Sequence, residues 1–249
     1  MVYSSYVAIG DSFTEGVGDE LPDGSVRGWA DLVAHGLALA SSDTVTYANL
    51  AIRGRLLEPI ATGQLEAAIA LKPTLLSING GGNDIMRPRV SIDSIADQLL
   101  AAVDTAVSAG IHVVLASGAN PTRHIPLGAA IEKRGNQLAL AVQQRVPGEG
   151  VTWVDNWADG ELAQLRYWSV DKLHLNSAGH ARVAGNVLAA LGIPIPSPAT
   201  FDSEIAHPRT SAYWREYVLP WVGRRLTGRS SGDNREPKSA TLQPVIPGR

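Results

Sequence analysis

The stretch Tyr6-Val7-Ala8-Ile9-Gly10-Asp11-Ser12-Phe13-Thr14-Glu15-Gly16 decides how this chain is read. Its first four residues form a short apolar run, and glycine, aspartate and serine end it. A strand that stops there, followed by helical spacing, is the opening of a βαβ unit. Ser12 then sits at the carboxyl edge of a sheet, where open α/β sheets bind their ligands. Taken alone, Gly-Asp-Ser is also an ordinary turn or helix-cap sequence, so the rest of the chain has to decide.

Outward from that stretch the same alternation repeats. Residues 44–52, 75–79, 112–116 and 151–155 read as four more strands. Helical spacing fills residues 28–40, 56–71, 91–109, 127–146 and 176–191. In residues 91–109, Ile92, Ile95, Leu99, Val103 and Val107 make an apolar stripe, and Gly110 stops it. Strands alternating with helices predict an α/β fold around a five-stranded parallel sheet. No internal repeat is present.

Residues 1–193 read as one domain. Pro194, Pro196 and Pro198 mark a linker. Residues 207–226 have helical spacing, with Trp214, Tyr217, Val218, Trp221 and Val222 on one face and a kink expected at Pro220. The segment 194–227 is therefore expected to be a linker and an amphipathic helix packed on the domain. Packing on the domain or on a second copy is a commoner use of such a face than a membrane surface. Residues 228–249 carry almost no core residues, and that composition predicts a disordered tail.

Composition narrows the function classes. Of 249 residues, 45% are hydrophobic and 18% charged, and the net charge is −3. That leaves no basic field for nucleic acid. There are no cysteines, so disulfides, thiolate metal sites and thiol catalysis are excluded. The N-terminus lacks the charged and apolar regions of a signal peptide, and no run approaches the ~18 apolar residues of a membrane span. Cytoplasmic location is the expectation.

Three further groups fall at strand ends or before the last helix. Asp171 and His174 are three residues apart, so one turn can fix their mutual geometry. An imidazole oriented by a carboxylate is the base that turns a serine hydroxyl into a nucleophile. Their bland reading is a loop aspartate beside a surface histidine. Gly81-Gly82-Asn83-Asp84 follows the third strand; exposed amides and the Asn83 side chain suit an oxyanion, but a tight turn capped by Asp84 is also possible. No Gly-Lys-Ser/Thr follows, and Gly-x-Gly-x-x-Gly is not met. Gly54, after the second strand, is an amide donor or a plain turn glycine. His180 lies six residues beyond His174 and points away from it on a helix, against a shared metal site.

These four blocks, in this order, resemble the SGNH hydrolases, or GDSL esterases and lipases, over roughly residues 5–190. The resemblance implies a flavodoxin-like three-layer α/β/α sandwich. It implies Ser12 as nucleophile, with His174 as base and Asp171 orienting it. It implies the Ser12 and Gly54 N–H groups and the Asn83 amide as the oxyanion hole, with Asp11 and Asp84 in support. No cofactor or metal is implied. The Gly-x-Ser-x-Gly elbow of classical α/β-hydrolases is missing.

The expected activity is hydrolysis of a small-molecule acyl ester through an acyl-serine. A short acyl chain is expected, because no insertion builds a tunnel or lid and there are only two phenylalanines. Arg27, Arg53, Arg55 and Arg87 lie near the sheet edge. Were they to meet an anionic leaving group, acyl-CoA thioesters would become substrates; solvated loop charges are the plainer reading. Deacetylation of a sugar uses the same chemistry. The non-enzymatic alternative is a silent binding or scaffold module. The C-terminal helix is the candidate surface for a homo-oligomer.

Overall fold

The computed structural model describes residues 3–196, 210–220 and 230–247. Six strands make one sheet: β1 (Ser5–Ile9), β2 (Thr46–Asn49), β3 (Leu75–Ile78), β4 (His112–Ala116), β5 (Val151–Val154) and β6 (Ser239–Pro244). The helices are α1 (Ser12–Glu15), α2 (Trp29–Ala40), α3 (Leu57–Pro59), α4 (Leu65–Ala70), α5 (Gly82–Ile85), α6 (Ile92–Ser108), α7 (Gly128–Gln143), α8 (Ser177–Ala190) and α9 (Thr210–Tyr213). The strand order is β5-β4-β3-β1-β2-β6. β1 to β5 are mutually parallel, and only β6 runs antiparallel, beside β2.

The sheet is covered on both faces, which is why residues 6–9 of β1 read as an unbroken apolar run and β3 is interrupted only by the buried Ser77. Alternate residues of β1 enter opposite cores. Tyr6 and Ala8 pack with Trp29, Val33 and Leu37 of α2 and Val183 and Val187 of α8. Val7 and Ile9 pack with Leu57, Ile60 and Leu65, and with Ile95, Leu99 and Val103 of α6. The three-layer α/β/α sandwich expected from the resemblance is present. Strands β2, β1, β3, β4 and β5 run in the flavodoxin-like order, so the chain switches direction at the β1/β3 boundary.

Three expectations need correction. The sheet has six strands rather than five. The sixth comes from the segment expected to be disordered: β6 pairs with β2, and Val245 N–H donates to the Val45 carbonyl at 2.8 Å. An edge strand can be held by backbone pairing and needs little apolar surface, so composition alone did not reveal it. The third correction concerns the C-terminal helix. α9 continues as a wider turn of π type over Trp214–Val218. Tyr213 and Val218, five residues apart as the wider turn spaces them, are both buried, while Trp214 is exposed. Trp221, Val222 and the remainder of the expected helix lie outside the described residues, as does the linker beyond residue 196.

Among the described residues no helix is long and apolar enough to cross a membrane.

Candidate active site

Ser12 opens α1 immediately after β1. Asp11 caps that turn, its Oδ1 accepting the Phe13 N–H at 3.1 Å. Gly10 is clamped from behind by Gln64, which accepts the Gly10 N–H at 2.8 Å and donates to the Gly10 carbonyl at 3.0 Å. Gln64 ends a widened π-type turn (Ile60–Gln64) between α3 and α4. The three residues Gly10, Asp11 and Ser12 are thus fixed by two different elements.

Asp171 and His174 lie in the loop before α8. Lys172 takes a left-handed backbone conformation (φ 58°), which tightens the turn between them. Asp171 Oδ1 accepts three hydrogen bonds, from Ser169 Oγ (2.7 Å), Leu173 N–H (2.9 Å) and His174 N–H (3.0 Å). Its Oδ2 accepts His174 Nδ1–H at 2.6 Å. That bond puts the proton on Nδ1 and leaves the Nε2 lone pair facing Ser12, whose hydroxyl lies 3.0 Å away. Across 162 residues of sequence, the hydroxyl and the imidazole meet.

The electrostatics follow from burial and from that pairing. Burial disfavours charge on His174, but the Asp171 carboxylate, and more weakly Asp11, outweigh it, so its pKa is raised above 6.5. Burial pushes Asp171 up, and the His174 charge and hydrogen bonds override it and hold the carboxyl well below the usual range. Asp11 is fully buried and is pushed up to about 6, with the charge of Asp84 adding to the effect. The Phe13 N–H bond and His174 oppose that shift.

The opposite wall is built from the turns after β2 and β3. Gly54 has φ 75°, a conformation that strains any residue with a Cβ. The turn preceding it is anchored by Glu15 of α1. Glu15 accepts the Arg53 backbone N–H at 2.6 Å and two guanidinium hydrogen bonds at 2.8 and 2.6 Å. Ser230, from the C-terminal segment, donates to the Gly54 carbonyl at 3.1 Å. Gly81, also left-handed at φ 87°, starts α5 and turns Asn83 toward Asp11. Asn83 Nδ2 donates to Asp11 Oδ2 (3.1 Å) and to the Arg55 carbonyl (2.9 Å). An oxyanion would have to share or take the hydrogen now given to Asp11. Asp84 points the other way, its Oδ2 accepting the Leu57 N–H at 3.0 Å. The Ser12 and Gly54 N–H groups make no backbone or side-chain hydrogen bond among the described residues.

All seven residues singled out from the sequence therefore sit around one cleft, with Asp84 as a brace behind it. His180 is separate from them: its Nδ1 accepts the Trp29 N–H at 3.2 Å, and its Nε2 faces the Val17 carbonyl at 3.3 Å. Burial lowers its pKa to about 4, so it is a neutral structural histidine. Of the four arginines, Arg27 pairs with Asp19 at 2.9 Å and Arg53 with Glu15. Arg55 and Arg87 line the mouth of the cleft. Among the described residues, no three metal-ligating side chains come together.

Glu15, Gln64 and Ser230 were not recognised from the sequence. Glu15 was within the first motif, but its partner is 38 residues away. A cavity of about 530 Å³ opens at Ser12, Asn83 and His174. A hydroxyl, an oriented imidazole and two unengaged amides at its mouth form a set able to carry out acyl transfer.

Residues 8–182 match the sequence model of the GDSL-like lipase/acylhydrolase family. Several solved structures are similar in fold. The lipase Lip_vut3 from a goat rumen metagenome is 18% identical, with a TM-score of 0.64 over 75% of this chain and 96% of that one. LAE5, an α/β hydrolase enzyme from the metagenome of Lake Arreo, is 23% identical, with a TM-score of 0.58 over 76% and 95%. Axe2, an acetylxylan esterase from Geobacillus stearothermophilus, is 18% identical, with a TM-score of 0.58 over 79% and 97%. A comparison with curated proteins gives no match.

Proposed function

The chain belongs to the GDSL-like lipase/acylhydrolase family and is a carboxylic ester hydrolase, and we propose that it works through an acyl-serine formed on Ser12. The observation that carries this reading is the unbroken chain from Ser12 Oγ to His174 Nε2 (3.0 Å) and from His174 Nδ1 to Asp171 Oδ2 (2.6 Å). His174 takes the hydroxyl proton as Ser12 Oγ attacks the ester carbonyl carbon. The resulting oxyanion is held by the Ser12 and Gly54 N–H groups and by Asn83. Collapse breaks the carbon–oxygen bond to the alcohol, which leaves with the proton from His174. Water then attacks the acyl-serine, gives a proton to His174 and releases the acid, and Ser12 recovers its hydrogen.

Asp171 acts by holding the imidazole in the tautomer with Nδ1 protonated and by stabilising the imidazolium that forms. Asp11 orients Asn83 and caps the turn that carries Ser12. The thioester reading is weakened by the internal ion pairs of Arg27 and Arg53, so that of these four arginines Arg55 and Arg87 line the mouth. Axe2 is an acetylxylan esterase, but at 18% identity its likeness to this chain carries fold alone. The short acyl chain expected from the sequence rested on the lack of an insertion. The cavity that opens at Ser12 is lined by residues of α7 as well as by the turn after β4.

The test is turnover of p-nitrophenyl acetate and butyrate, with labelling by a fluorophosphonate. Ser12→Ala is expected to lose at least a thousandfold in kcat and all labelling. Turnover or labelling at the parent level in that variant defeats the proposal.

A further inference from the structure

We propose that the space between α7 and strands β4 and β5 is an acyl-chain chamber, which receives the unbranched saturated chain of a medium-length ester while its carbonyl sits at Ser12. The proposal rests on the reading of Ser12 as nucleophile and adds to it the substrate class.

The chamber is visible as a contrast between neighbouring helices on the same face of the sheet. On α6, Ile95, Leu99 and Val103 are buried to 4% exposure or less. On α7, Ile131 and Leu138 face the same layer at helical spacing but stay only partly buried. Trp153 on β5 is likewise incompletely covered. The backbone of α7 lies closest to α6 and α5. A helix packed directly on a sheet would bury these side chains. Here they line the inner part of the cavity that opens at Ser12, and Leu99, Leu115 and Val142 complete its wall.

The walls are fixed. Trp157 donates from Nε1 to Asn136 Oδ1 at 2.7 Å, and its backbone N–H bonds Ser117 Oγ at 2.9 Å. Its indole lies against Gly135 of α7, where a Cβ would collide with the ring. The turn Ser117-Gly118-Ala119 after β4 lines the passage between Ser12 and the inner space. A Cβ on Gly118 would meet only Asn79 Nδ2, at 4.0 Å, so that neck is open.

The occupant follows from the two ends. The mouth carries Arg55, Asn83 and Ser230 and faces solvent, where the alcohol must leave with its proton. The inner end presents aliphatic and indole surface, which suits the acyl substituent. The whole cavity, mouth and inner part together, has a volume of about 530 Å³, which far exceeds an acetyl group, and its inner part is matched to a chain of about six to ten carbons. Each methylene moved from water into such a space raises kcat/KM by about fourfold at most.

The experiment is kcat/KM for p-nitrophenyl esters from acetate to decanoate, on the parent protein and on Ala139→Phe, whose ring would fill the chamber from α7. The parent is expected to rise at least tenfold from butyrate to octanoate. Ala139→Phe is expected to lose at least tenfold on octanoate and stay within twofold on acetate. Gly118→Val narrows the neck at a position whose backbone accepts a side chain, and gives the same pattern if Ala139→Phe does not fold. A parent profile that is flat or falling with chain length overturns the proposal. So does a soluble variant that loses acetate and octanoate activity equally. Failure of the Ser12 reading looks different: no ester is turned over and no fluorophosphonate label is taken up.

Discussion

The two walls of the cleft are held in place by opposite means. His174 is set by its own neighbours: Asp171 lies three residues before it, and the Asp171 carboxylate accepts its hydrogen bonds from Ser169, Leu173 and His174. Gly54 and Asn83 are set from afar. Glu15 holds the Gly54 turn across 38 residues, Asp11 holds Asn83 across 72, and Ser230 reaches Gly54 across 176. A locally built wall should lose its chemistry when altered and keep its fold. A wall assembled from distant partners should lose stability and chemistry together.

Asp171→Asn tests the local wall and has the largest expected effect after removal of the nucleophile itself. An asparagine preserves the turn by accepting from Ser169, Leu173 and His174, but presents the wrong group to Nδ1. We expect kcat to fall on the order of 10³- to 10⁴-fold, with the urea midpoint almost unchanged. The pH profile sharpens the point. His174 must be neutral to accept the Ser12 proton, and its pKa is raised by Asp171. Activity is therefore lost as pH falls through a value above 6.5. Removing the carboxylate takes away that support, so the residual activity of Asp171→Asn should hold to lower pH. A kcat/KM limb at the same pH in parent and variant would break the assignment of that limb to the pair.

The distant wall gives intermediate effects. Asn83→Ala should reduce kcat by about 10²- to 10³-fold, with a much smaller change in KM. It also leaves Asp11 Oδ2 without the Asn83 hydrogen bond, in a fully buried carboxyl. Glu15→Gln should show both penalties at once. It leaves the Arg53 guanidinium, only 19% exposed, without its charged partner. Losing one member of such a pair costs about 3 kcal/mol, readable as a lower urea midpoint. We expect kcat to fall about tenfold with it, because the turn carrying Gly54 loosens. Full stability in Glu15→Gln would erase the contrast between the walls.

The same contrast explains what could be read from sequence. Strands β1 and β4 were legible because parallel strands covered on both faces favour continuous apolar runs, residues 6–9 and 113–116 here. Asp171 and His174 were legible because their relation fits within four residues. Ser12, Gly54 and Asn83 could be ordered along the chain because each follows a strand end. The supports were hidden for a physical reason. A glutamate in a short helix has no local mark of its partner, and Gln64 reads as one more polar helix position. β6 was hidden because it is largely polar and mostly exposed; it is held by backbone pairing with β2 and by the neighbouring Lys238, whose ammonium reaches Asp31 Oδ2 at 2.6 Å. The hollow beneath α7 was equally hidden, since Ile131 and Leu138 carry the same spacing whether they meet a strand or a void.

The smallest expected effect is also the most discriminating. Ser230 Oγ donates to the Gly54 carbonyl at 3.1 Å and accepts the Gly232 N–H at 3.1 Å. Ser230→Ala removes both bonds, worth about 1 kcal/mol each, from a strap that β6 and Lys238 still hold. By itself it should cost less than about fivefold in kcat. Glu15 and Ser230 grip the same turn from opposite ends, so the two substitutions should couple. The double variant Glu15→Gln/Ser230→Ala should then depart from the sum of the singles by about 0.5 kcal/mol or more in transition-state free energy. Strict additivity would mean that the C-terminal segment covers the turn without positioning Gly54, and would leave Glu15 as the main support of that wall.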